Sequence, residues 1–148
     1  RRGAVLYIAA EAPGSVAMRA RAALREKFDS KALPFFLCVD APRLGSDSDG
    51  PLDTDRLIST AASINEQCGE PVRLAVFDTL AAMMAGADEN GGGMIALVAN
   101  VQRFATATGA VVVLLHHPSK ADATGLRGHS SLYAAADTVI NISTEASL

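Results

Sequence analysis

Short apolar runs rich in β-branched and aromatic residues alternate along this chain with stretches of helical period, and that alternation leaves few folds open. "AVLYIAA" (4–10), "FFLCV" (35–39), "VRLAVFD" (72–78), "AVVVLLH" (110–116) and "DTVINIS" (137–143) read as strands. After the first, Ser15 caps a predicted helix to about Phe28, with Val16, Ala20, Ala23, Leu24 and Phe28 on its apolar side. A second helix starts at Asp53 or Thr54 and ends near Gly69, turning Leu57, Ile58, Ala61 and Ile64 inward. A third runs from Met94 to Thr108 and is closed by Gly109, and a short helix precedes the last strand. Strands joined through helices pair in parallel, so the fold class is α/β, a mostly parallel sheet with helices on both faces. "DAPRLGSDSDGP" (40–51) reads as an exposed, mobile connection, and "MAGADENGGG" (84–93) as a second loop.

A chain of 148 residues suits one domain, spanning 1–148, with room for a real core. At 49% apolar and 20% charged residues it is globular rather than disordered. The net charge of -3 excludes a generally basic surface, so any nucleic-acid contact is confined to a loop or channel. Cys38 and Cys68 have no metal-ligand spacing and make no disulfide framework, which points to a reduced, cytoplasmic setting. No apolar run reaches the roughly 18 residues of a membrane span, and no signal peptide is seen. The chain opens on "RRGAVLYI", without a Met and straight into a strand, as an interior piece of a longer protein would.

In open parallel sheets, ligands sit beyond the carboxyl ends of the strands. The polar residues there are Glu11, Asp78, and then His116, His117 and Lys120. In "LAVFD" a rigid apolar strand projects a carboxylate from its end, which is what a Mg²⁺-nucleotide site needs. Asp78 alone is equally compatible with a helix cap or turn, and Glu11 with the start of a Glu-Ala-Pro-Gly turn. A metal site made of both histidines is poor, because neighbouring strand residues point to opposite faces. His116 then reads as a satisfied core histidine and His117 as a donor to phosphate. A Ser-His-Asp hydrolase lacks its G-x-S-x-G elbow. A metal-dependent hydrolase using Asp78 and the histidines stays open.

Taken together, "VLYIAAEAP", "LAVFDTLAAMMAGADEN", "GAVVVLLHHPSK" and "LRGHSSLYAAADTVINI" resemble, in order and spacing across nearly the whole chain, the RecA-type P-loop ATPases. The branch is that of the RepA-type hexameric replicative helicases of plasmids and phages, counted with the AAA-family ATPases. The resemblance implies an ATPase and DNA helicase acting in replication. It makes Glu11 the carboxylate that polarises the attacking water. Asp78 becomes the Walker B aspartate holding Mg²⁺ through water, and His117, paired with His116, the γ-phosphate sensor. Arg127 becomes an arginine finger reaching the ATP of a neighbouring subunit, with Lys120 near phosphate or in the adjoining loop. The implied cofactors are ATP and Mg²⁺; the implied partners are single-stranded DNA and further copies of the chain in a ring, a hexamer, with no membrane.

The chain departs from that pattern in lacking the Walker A loop, G-x-x-x-x-G-K-[ST]. In the family this loop follows a strand lying between the fourth and fifth strands found here, so the sequence reads as a partial domain whose phosphate loop lies before Arg1. The loop after the fourth strand carries Lys120, Arg127 and His129, whereas "AGADENGGG" is acidic, and neither offers an aromatic residue for stacking on a base. A non-catalytic, degenerate P-loop domain serving as an interaction module is the competing reading.

Overall fold

The computed structural model describes residues 2–28, 33–117 and 130–142. Four strands, β1 (Ala4–Ala9), β2 (Phe35–Cys38), β3 (Val72–Asp78) and β4 (Val111–Leu115), form an all-parallel sheet in the order β2-β1-β3-β4. The helices are α1 (Pro13–Phe28), α2 (Gly50–Cys68), a single turn α3 (Leu80–Met83), α4 (Gly92–Thr108) and α5 (Ser130–Ala135). The architecture is the α/β one expected.

Handedness sorts the helices. The chain moves one way across the sheet from β1 to β2, and the other way from β2 to β3 and from β3 to β4. Right-handed crossovers therefore place α1 on one face and both α2 and α4 on the other. On the α2–α4 face, alternate strand residues are buried: Leu6 and Ile8 of β1, Ala75 and Phe77 of β3, with Phe36, Cys38, Val112 and Leu114 packed beside them. They meet Leu57, Ala61 and Ile64 of α2 and Leu97, Val101 and Phe104 of α4. Phe104 stands edge-on to Phe77, with ring centroids 5.7 Å apart and planes at 82°. α2 and α4 each end at a glycine in the left-handed conformation, Gly69 (φ 69°) and Gly109 (φ 66°), where a side chain would be strained.

The α1 face is sparsely covered. Val16 is the one buried residue of α1, while Ala20, Ala23 and Leu24 are half-buried and Phe28 is exposed. The periodicity located the inward side of this helix, but one helix does not span the face. Val111, Val113 and Leu115 of β4 remain exposed on it, Val111 to 66%.

Two expectations need correction. The fifth strand does not form: described residues 137–142 have no strand structure, and Ile140 and Ile142 are 79% and 92% exposed. A strand needs a neighbour for its backbone hydrogen bonds, and among the described residues β4 pairs with β3 alone. The segment 40–49 is not a free connection either. Leu44 is 1% exposed within the core, and α2 begins at Gly50, ahead of Asp53, with Pro51 in its first turn. Among the described residues no helix is long and apolar enough to cross a membrane.

Candidate active site

Because all strand pairs are parallel, β1, β3 and β4 end side by side. The chain leaves β1 towards α1 on one face and leaves β3 towards α4 on the other. The diverging connections open a crevice between the carboxyl ends of β1 and β3, the switch point at which doubly wound sheets take their ligands.

Glu11 stands on one lip of that crevice. Ala12 follows with φ 48°, a sharp turn for a residue other than glycine, and its carbonyl accepts from the amides of Ser15 (3.0 Å) and Val16 (3.3 Å) as α1 begins at Pro13. The Glu11 amide donates to the carbonyl of Asp78 at 3.1 Å, tying the two strand ends together. Thr79 caps α3: its hydroxyl oxygen accepts from the Ala82 amide at 3.4 Å, and its hydroxyl donates to Glu11 Oε2 at 3.1 Å. The Asp78–Thr79 peptide is cis.

His117, just beyond β4, brings Nε2 to 4.0 Å from the same Glu11 Oε2. That distance is an electrostatic approach rather than a hydrogen bond. Both side chains are more than half exposed (70% for His117 and 59% for Glu11), so the pair adds little to stability and both groups stay open to a ligand. His116 is half-buried, with its Nδ1 enclosed, and follows the alternation of Val112 and Leu114 towards the α2–α4 face.

Asp78, at the tip of β3, is held from below. Tyr7 of β1 donates its hydroxyl to Asp78 Oδ2 at 2.6 Å. Burial first, then the bond to Asp78 and its charge, push the Tyr7 phenol up to about 12, with Arg19 pulling the other way.

The structure thus brings Glu11, Asp78 and His117 to one crevice and leaves His116 turned from it. Lys120 and Arg127 lie outside the described residues. Thr79 and Tyr7 join the site without having been singled out. Tyr7 sits inside an apolar strand and passes for core; the available signal was a phenol on a half-exposed face, which needs a polar partner. Thr79 directly follows the aspartate and is a ready cap for the next helix.

No group of three or more His, Cys, Asp or Glu able to hold a metal exists among the described residues. Mg²⁺ keeps several waters and takes one or two carboxylates plus substrate phosphates rather than a protein cage. Asp78 is a carboxylate of that kind, with Oδ2 bonded to Tyr7. Cavities of about 180 and 380 Å³ lie elsewhere, one beside Pro71 and Thr108 at the far end of the sheet, the other along β2 and α2. Both lie away from the strand ends at which Glu11 and Asp78 meet.

A family model described as an AAA domain matches residues 1–123. No curated protein matches the chain. No solved structure matches it.

Proposed function

The chain belongs to the AAA domain family, a P-loop ATPase family whose members generally bind nucleotide with Mg²⁺, and from that premise we propose that it supplies the hydrolytic half of an ATPase site. The observation that carries this reading is the convergence of Glu11, Asp78, Thr79 and His117 at the switch point of the sheet. In phosphoryl transfer the protein positions and stabilises charge rather than reacting covalently. Glu11, exposed and accepting from Thr79, would orient an attacking water. Asp78 would hold Mg²⁺ through water, and the metal when bound neutralises charge on the phosphates. His117 would donate to the γ-phosphate. His116 would support His117 from the covered side, and Lys120 and Arg127 would act from the loop after β4, Arg127 across a subunit boundary. The phosphate loop itself is not within residues 1–148 and would have to come from upstream of Arg1.

On the resemblance to RepA-type helicases, we take the finer role to be a cytoplasmic, ring-forming motor, a hexamer, moving on single-stranded DNA in replication. A non-catalytic interaction module is the competing reading. Glu11→Gln in the full-length protein separates the two. It should bind ATP with Mg²⁺ in calorimetry as the parent does, while phosphate release slows by about 10²–10⁴. Unchanged turnover removes Glu11 from the mechanism, and a parent protein that binds no ATP leaves the interaction module.

A further inference from the structure

The resemblance gives Tyr7 no role, yet its hydroxyl is the described side-chain partner of the carboxylate expected to face the metal. It pairs across the sheet with Val76, two residues before Asp78, on the face opposite the main core. Two residues of a parallel strand span about 6.6 Å, which is close to the length of a phenol leaning along the strand. The ring rests against Phe35 of β2, with centroids 6.2 Å apart and planes at 43°. Phe35 thus limits the swing of the ring from one side while the hydroxyl meets Asp78 Oδ2 at 2.6 Å. That length lies at the short end of the O–H···O range, where the stronger hydrogen bonds fall.

A carboxylate at the tip of a strand would otherwise rotate about its last bond. Fixing Oδ2 fixes the carboxylate plane and, with it, the direction of Oδ1. We propose that Tyr7 is a positioning residue for Asp78, its hydroxyl holding Oδ2 so that Oδ1 is set in advance for the water shell of Mg²⁺. This rests on the reading of Asp78 as the metal-facing aspartate. A purely structural tyrosine would affect folding stability and leave the metal dependence of nucleotide binding alone; a positioning tyrosine affects the metal-dependent part.

The test is calorimetric and uses the full-length protein, with ATP titrated in the presence of Mg²⁺ and again with a chelator. Tyr7→Phe should lose roughly tenfold to a hundredfold of the affinity that Mg²⁺ adds, the worth of one hydrogen bond to a charged group. Affinity without Mg²⁺ should not change. In an Asp78→Asn background, Tyr7→Phe should have no further effect on the Mg²⁺ contribution. If Tyr7→Phe does not fold, Tyr7→Leu and Tyr7→Met fill the same half-buried position without a hydroxyl and give the same comparison. Equal losses with and without Mg²⁺, or no loss in either, overturn the positioning role. If Asp78→Asn abolishes the Mg²⁺ contribution while the Tyr7 variants keep it, the inference alone falls. If Asp78→Asn keeps it, or the parent protein binds no ATP, the reading of Asp78 falls and the inference with it.

Discussion

His116 and His117 are neighbours in sequence with different surroundings, because the chain alternates as it leaves β4. His117 reaches the Glu11 carboxylate in the crevice, and His116 is half-buried towards the α2–α4 face. In the full-length protein, His117→Ala should lower phosphate release by about 10²–10³, the usual loss for one charge-stabilising donor. His116→Ala should act mainly on the melting temperature. The opposite ranking of turnover would assign the phosphate-facing role to His116. Tyr7 gives a pH prediction. Its folded pKa, pushed up to about 12, lies above the ordinary value of about 10, so the folded state holds the proton longer. Its stabilising contribution is complete below about pH 10 and is lost as pH rises through about 12. Urea midpoints across that interval should fall less steeply for Tyr7→Phe than for the parent; identical slopes would contradict the raised phenol. Glu11, Asp78 and His117 were visible in the sequence because each is the polar residue that stops or follows an apolar strand. Tyr7 was not, because its partner lies 71 positions away and only the β1–β3 register brings them together.

Among the elements, the segment between β2 and α2 departs furthest from its composition. Its aspartates and serines suggest a solvated loop, yet it is tied at several points. The Arg43 amide donates to Asp53 Oδ2 at 2.8 Å, and the Arg43 side chain pairs with Asp49 at 3.2 Å. Asn100 of α4 donates Nδ2 to the Leu44 carbonyl at 2.9 Å, and the Gly45 amide donates to the Met83 carbonyl at 3.1 Å. A Cβ on Gly45 would come to 3.0 Å from the Met84 backbone, so a side chain there would require the neighbouring chain to shift. These contacts tie the start of α2 to α3 and α4, directly behind the Asp78 turn. Leu44→Ala should therefore cost about 2–5 kcal/mol, as for a buried leucine, read from denaturant midpoints at unchanged m-value. A cost under about 0.5 kcal/mol, the surface value, would restore the loop to a free connection. The long helices were legible because their apolar period is sustained; this segment was not, since one leucine has no period and its polar partners are up to 56 residues distant.

For the molecule as a whole, the two faces of the sheet are unequal. Parallel sheets are ordinarily buried on both sides, their strands apolar throughout, and β4 has that composition. Its inward residues, Val112 and Leu114, pack on the core, while Val111, Val113 and Leu115 are exposed. The apolar residues Val139, Ile140 and Ile142 are exposed as well, in a stretch that the sequence marks as a strand. Periodicity reports how residues alternate along one strand but not which neighbour lies alongside, and this is why the fifth strand was expected and is not formed. The resemblance to RecA-type ATPases places the phosphate-loop strand between these two segments. An unpaired strand edge joined to an apolar face is a surface on which chains associate. The 148-residue chain by itself should therefore sediment as concentration-dependent oligomers. Val111→Lys with Val113→Lys should shift it towards monomer while changing the urea midpoint by no more than about 1 kcal/mol of stability, the span of strand propensities. In a longer chain that supplies the phosphate-loop strand, the same valines would be covered, and the double lysine substitution should be severely destabilising, since it buries unpaired charge. A 148-residue chain that stays monomeric at every concentration would show that the open face is tolerated by the molecule as it stands.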